Sequence, residues 1–258
     1  MNIHRITYNP QKQSCSLYFI GCNFRCLCCY WKQIYPVRSK APEATAQLLA
    51  GTSNRVYGKV DFRNLHFLHL EEVLGILRQV SPKNIYILSG DPRQNTEFTQ
   101  LPKALYKEFG CTVRLLTNGY ILPDLEGITH VSMSIKAIDD SLHIRYTGKS
   151  NKNSLENFRL IHKKGIELST SSVYIPGLIE KKEIEDIAKF MANIDENIPY
   201  RVIGYMKVSG LEYKEPDYEE VREVASLANK YLKNITFSRP KGEDYTGIVD
   251  LFTNNLRV

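Results

Sequence analysis

Short runs rich in β-branched and aromatic residues recur along this chain with helix-like stretches between them, and that alternation limits the possible folds more than any other feature. Six runs, at residues 16–20, 84–88, 112–117, 130–135, 168–175 and 200–205, have the length and composition of strands. Amphipathic stretches at 69–80, 98–109, 155–164, 183–194 and 218–232 lie between or after them, and Gly110 and Gly165 follow two of these as helix C-terminal glycines do. Parallel neighbours need long crossovers, which helices supply. The pattern therefore predicts an α/β fold with a parallel sheet. With 258 residues, 43% hydrophobic and 24% charged, the chain is expected to be a single domain spanning 1–258. Its core would run from about 14 to 237, ending on a short strand near 235–238, with 238–258 as a C-terminal surface extension. Residues 30–64, containing Pro36, Pro42, Gly51 and Gly58, read as a long loop with one short helix at 43–49.

Several function classes drop out early. No apolar run approaches the roughly 18 residues of a membrane span, and the first residues lack the apolar stretch of a signal peptide, so no membrane partner and a cytoplasmic location are expected. The net charge of +6 favours an acidic partner only weakly. Lys163-Lys164 and Lys181-Lys182 sit beside helical patterns and read as solvated faces. Charge alone names no partner and leaves a nucleic acid open. No internal repeat or low-complexity tract is present.

Five of the six cysteines, Cys15, Cys22, Cys26, Cys28 and Cys29, crowd into one short segment, where disulfides joining distant loops have no place. Cys22, Cys26 and Cys29 follow a C-x3-C-x2-C spacing directly after a predicted strand and Gly21. Three thiolates on a tight loop can ligate three irons of a [4Fe-4S] cluster and leave the fourth iron open. Soft thiolates also suit zinc, but a closed zinc site needs four ligands, and Cys111 with His66 and His69 makes a poor second half. A zinc- or cluster-bearing binding module without turnover remains the alternative from a different class. Cys15 and Cys111 read as buried thiols.

Other polar residues fall at strand ends. Ser89-Gly90-Asp91-Pro92 is a small-residue turn after a strand, able to offer backbone carbonyls and an acid to an ammonium group. Thr117, Ser134 and Lys136 fall at the C-terminal ends of the next two strands, which converge on one mouth in a barrel-like array. There Lys136 can pair with a carboxylate, and the two hydroxyls can hydrogen-bond to a ligand. His143, at helical spacing after Asp139-Asp140, reads as structural or solvent-facing rather than as a general base, and so do His66 and His69. No catalytic side chain is assigned.

The cysteine loop resembles the signature of radical S-adenosylmethionine enzymes, with Cys28 in the slot where the family has an aromatic residue. The turn at 89–92 is similar to the family's Gly-Gly-Glu-Pro turn. The stretch from Ser134 to His143, followed by Tyr146-Thr147-Gly148-Lys149-Ser150-Asn151, resembles the activating enzymes of glycyl radical enzymes, and the similarity runs over about 14–237. The resemblance implies a partial (β/α)6 barrel with parallel strands. It implies a [4Fe-4S] cluster on Cys22, Cys26 and Cys29, with S-adenosylmethionine held by Ser89, Gly90, Asp91, Thr117, Ser134, Lys136 and Met206, the last standing where relatives often have a ribose-contacting histidine. Ser134 and Leu116 occupy positions that are often acidic in the family. The implied reaction takes one electron from a reductant such as flavodoxin or ferredoxin. It cleaves S-adenosylmethionine to a 5′-deoxyadenosyl radical, which abstracts hydrogen from a glycine of a partner glycyl radical enzyme. Tyr30 and Trp31 would help form the docking surface. Modification of a small molecule, peptide or RNA by the same chemistry is the second reading.

Overall fold

The computed structural model describes residues 1–29, 66–89, 96–122, 124–238 and 247–254. Its strands are β1 (Ile3–Asn9), β2 (Ser14–Phe19), β3 (Asn84–Leu88), β4 (Thr112–Thr117), β5 (His130–Ser134), β6 (Glu167–Tyr174), β7 (Tyr200–Gly204), β8 (Ile235–Ser238) and β9 (Val249–Thr253). They form one nine-stranded sheet in the order β8-β7-β6-β5-β4-β3-β2-β1-β9. From β2 to β8 every neighbouring pair is parallel. Because each crossover steps to the next strand in the same direction, right-handed connections place the helices on one face, which is how a sheet curls toward an open barrel. The six strands and the α/β parallel architecture expected from the sequence are present.

The helices are α1 (Leu70–Arg78), α2 (Gln100–Phe109), α3 (Asp140–Thr147), α4 (Lys152–Lys163), α5 (Lys181–Ala192) and α6 (Tyr218–Ala228), with a 3-10 turn at Thr96–Thr99. Alternate strand residues are fully buried, such as Ile85 and Ile87 on β3, Val113 and Leu115 on β4, and Val131 and Met133 on β5. They share one core with helix residues such as Leu77, Leu105, Phe158 and Ile187. Local chemistry fixes the helix starts. Asp217 accepts the Glu220 N–H at 2.9 Å while Glu220 accepts the Asp217 N–H at 2.8 Å, a reciprocal cap at the head of α6. Asp139 caps α3 by accepting the Leu142 N–H at 2.7 Å. Among the described residues no helix is long and apolar enough to cross a membrane.

Two features differ from the sequence reading. First, the segment after 238 is not only a surface extension: β9 pairs antiparallel with β1, from Tyr8↔Val249 to Arg5↔Thr253. Arg5 Nε meets Asp250 Oδ1 at 2.6 Å, and Asn254 accepts the His66 N–H and donates to the His66 carbonyl, both at 2.9 Å. A short strand here covers the open edge of β1, whose free N–H and C=O groups would otherwise invite pairing with another chain. Second, β1 itself adds an antiparallel edge to β2. The long loop at 30–64, its helix at 43–49, and Tyr30 and Trp31 lie outside the described residues.

Candidate functional site

The cysteine loop leaves β2 and is held from two sides. On one side it runs along the end of α3: Arg25 N–H donates to the Thr147 carbonyl at 2.7 Å and Leu27 N–H to the Tyr146 carbonyl at 2.9 Å. These carbonyls are free because the helix stops there, at Gly148, whose φ of 79° is a conformation side chains resist. On the other side Asn118, just past β4, donates to Asn23 Oδ1 at 2.7 Å and toward Cys22 Sγ at 3.7 Å. Both asparagines are buried.

Phe24 pins the loop between these supports. It is 2% exposed, with Tyr120 and His143 edge-on at 5.5 and 5.4 Å between ring centroids. His143 is structural: it is buried, its Nδ1 lies 2.6 Å from the Lys149 carbonyl, and burial holds its pKa below the ordinary value. A carbonyl can only accept, so Nδ1 carries the proton. His66 and His69 lie on the surface beside Glu72 and Glu97.

Cys22 Sγ receives the Phe24 N–H at 3.5 Å as well as the Asn118 amide. Donors directed at a sulfur favour the thiolate, the form that binds metal. Tyr146 is buried, and its hydroxyl is pushed well above its ordinary pKa, first by burial and then by the thiols of Cys26, Cys28 and Cys29. Cys22, Cys26 and Cys29 are thiols on one loop, and three thiolates so placed fit the ligand set of a [4Fe-4S] cluster. Cys28, in the unusual slot, lies against the Tyr205 hydroxyl, whose pKa is raised by burial first and then by that thiol. Cys15 and Cys111 are buried on the far side of this chemistry; burial pushes the Cys15 thiol up to about 12, with Cys111 adding to the shift.

The strand-end residues divide into two groups. Ser134 and Lys136 are half-buried and alternate with the buried Met133, Ile135 and Ala137, so they sit on the face of the sheet away from the core. Ser134 Oγ lies 3.2 Å from Ser171 Oγ. Thr117 alternates the other way, with Val113 and Leu115, and its buried hydroxyl accepts the Gly119 N–H at 3.1 Å. Met206 is half-buried just beyond β7. Gly90 and Asp91 lie outside the described residues. Ser89 directly follows β3 in the left-handed region, φ 65°, where a residue other than glycine costs about 1–2 kcal/mol. Its hydroxyl is buried with no hydrogen-bond partner among the described residues. Strain and an unsatisfied donor at one residue fit a turn that awaits a polar ligand.

The sequence reading gave no role to Asn23, Phe24, Asn118 or Gly119. The Asn118-Gly119 pair directly after a strand was the available signal. Gly119 has φ 70°, and an added Cβ would run into the Met133 side chain. Its carbonyl accepts from Asn157 Nδ2 at 2.8 Å, tying the turn to α4.

The model of the Radical SAM superfamily matches residues 17–191, which include the cysteine loop, the β3 and β4 ends and α3. A Methanocaldococcus jannaschii protein provisionally named a glycyl-radical enzyme activating enzyme is 29% identical over 226 residues, 84% of this chain and 78% of its own length. The pyruvate formate-lyase 1-activating enzyme of Escherichia coli K12 is 22% identical over 240 residues, 85% of this chain and 90% of that one. Among solved structures, Streptococcus suis SuiB bound to S-adenosylmethionine superposes with a TM-score of 0.61 at 15% identity, over 88% of this chain and 53% of that one, a likeness of fold. The thiol-rich loop after the first parallel strand, the open parallel sheet and the family match over two thirds of the length agree: this chain belongs to the Radical SAM superfamily.

Proposed function

We propose that this radical enzyme activates a partner glycyl radical enzyme by removing a hydrogen atom from one of its glycine Cα positions. The observation that carries the reading is the likeness to a relative named for that activity along 84% of the chain. The local architecture supports the chemistry that such an activity needs. In this reading Cys22, Cys26 and Cys29 hold a [4Fe-4S] cluster. When bound, it supplies the electron that splits S-adenosylmethionine into methionine and a 5′-deoxyadenosyl radical.

The chain's own residues bind, orient and exclude. Ser89 Oγ takes a polar group of the cosubstrate, with Gly90 and Asp91 beside it for the amino group. Lys136 pairs with the carboxylate, Ser134 and Met206 line the same mouth, and Thr117 acts through the Asn118-Gly119 turn it braces. Phe24, Tyr120 and the α3 terminus pack against the back of the cysteine loop. A small soluble reductant such as flavodoxin or ferredoxin would deliver the electron in the cytoplasm.

Anaerobic reconstitution, followed by dithionite and S-adenosylmethionine, tests the chemistry. The expected result is 5′-deoxyadenosine with about four irons per chain. Cys26→Ala should lose both cleavage and iron, and Cys111→Ala should keep both. Full turnover in Cys26→Ala would overturn the ligand assignment. Adding a glycyl radical enzyme from the same genome should then produce a glycyl radical signal by electron paramagnetic resonance.

A further inference from the structure

The face of the sheet away from the helices is polar, and one residue on it is left without a counterpart. Tyr86 on β3, Arg114 on β4 and His130 on β5 stand level with one another, Tyr86↔Arg114 and Arg114↔His130. Arg114 alternates with the buried Val113 and Leu115, so it is on the inner face. Its Nε is buried and has no hydrogen-bond partner, and no carboxylate among the described residues pairs with it. The nearest acid in register, Glu167 on β6, is two strands away, about 10 Å across the sheet. Glu167 Oε1 instead lies 3.0 Å from His130 Nδ1, while His130 Nε2 lies 2.8 Å from Ser169 Oγ. Burial first, and then the Arg114 charge, lower the His130 pKa from its ordinary value. On the same face, Arg201 on β7 donates to Ser238 Oγ at 3.1 Å, and Arg5 on β1 meets Asp250 Oδ1 at 2.6 Å.

A guanidinium set in a half-buried polar wall, with a buried N–H unsatisfied, is one partner of a charge-assisted pair whose other partner is not among the described residues. We infer that Arg114 forms the floor of the substrate cavity and binds an anionic group, a carboxylate or a phosphate, of the molecule that reacts at the mouth. The inference rests on the radical reading, since it takes the strand C-termini as the place of reaction. Arg114 lies three residues before Thr117, roughly 10 Å below that mouth along β4. On an extended polypeptide that depth corresponds to an acidic side chain about three residues from the reacting glycine. A small substrate would reach it with an anionic group at the end opposite the reacting C–H bond.

The test uses the reconstituted protein under anaerobic conditions, following the 15Nε–Hε resonance of Arg114, assigned by its loss in Arg114→Lys. The probes are succinate, inorganic phosphate, and two heptapeptides with a central glycine and either Glu or Gln three residues before it. A saturable shift with at least tenfold preference for the Glu peptide supports a polypeptide source. Saturation by succinate or phosphate, with the two peptides alike, supports a small anionic substrate. In either case the anion should raise the melting temperature of wild type and not of Arg114→Gln. No saturable response to any probe, or an equal thermal shift in Arg114→Gln, overturns the proposal. Measuring 5′-deoxyadenosine in the same preparation separates the two failures. Anion binding without cleavage removes the radical reading, whereas cleavage without an Arg114 response removes only the anion site.

Discussion

The cysteines of the loop can be assigned from spacing because thiol chemistry does not depend on the fold around it, but what holds the loop in place depends wholly on the fold. Phe24 is the clearest case. It sits at 2% exposure between Tyr120 and His143, residues 96 and 119 positions further along the chain, and no local pattern marks it as core. Phe24→Ala should cost about 3–5 kcal/mol, the usual range for emptying a buried aromatic site. Because the emptied site is the back wall of the loop, the variant should also retain less iron after reconstitution and desalting. Phe24→Leu should recover most of both. Denaturant midpoints and iron content measured side by side check this. A variant that loses stability but keeps its full iron content would show that the loop holds its shape without this wedge.

At the scale of elements, strands were legible and α3 was not. The runs at 84–88 and 112–117 coincide with β3 and β4 because central parallel strands are rich in β-branched and apolar residues. Helix α3 buries His143, Tyr146 and Thr147, so its inward face is mostly polar and leaves no apolar periodicity to read. Its ends carry local signals, a capping Asp139 and Gly148 in the left-handed region. Strands β1 and β9 escaped notice, and β9 at the sheet edge pairs with β1 across the length of the chain, a contact without a local signal. What α3 does for the site follows from its anchors. Asn151 donates to the Ala137 and Ile138 carbonyls at 3.2 and 2.6 Å, and Asp140 accepts the Asn151 N–H at 2.8 Å. Glu183 on α5 accepts the Asp139 N–H at 3.0 Å. Asn151→Ala removes two donors to buried carbonyls, a loss of about 2 kcal/mol at about 1 kcal/mol per hydrogen bond. The effect should travel along the helix to the cysteine loop, since the acceptors of Arg25 and Leu27 are the last carbonyls of α3. Hydrogen exchange at those two amides should therefore speed up in Asn151→Ala, and more so in Asn151→Asp, which also sets a charge against the carbonyls. Unchanged exchange at Arg25 and Leu27 would mean that the loop does not depend on α3.

The whole molecule carries a pH dependence set by histidines buried in different parts of the sheet and its surroundings. His4 lies on β1 at 2% exposure, and its pKa is lowered to about 4, first by burial and then by the Arg5 charge. Burial likewise lowers His130 and His143. A base whose folded pKa is depressed is neutral in the native state while the unfolded chain still takes up a proton, so the unfolded state binds more protons as the pH falls. Stability is therefore at its full value above about pH 6.5, the unfolded histidine value, and declines as the pH falls toward 4. For His4 the interval from the ordinary 6.5 to about 4 corresponds to on the order of 3 kcal/mol, lost progressively across that window. The lowered carboxylates, Asp140 among them, extend the loss in the same direction below their own ordinary values. Among the described residues the lysines with raised pKa values titrate far above this window. Urea midpoints taken at half-unit steps from pH 7.5 to 4.5 should fall monotonically, with the slope steepest below 6.5. His4→Phe should flatten part of that slope without changing the midpoint dependence above pH 7. A midpoint that stayed level between pH 6.5 and 4.5 would mean that the buried imidazoles take up protons in the folded state, and so that the β1 edge opens more readily than its pairing on both sides with β2 and β9 implies.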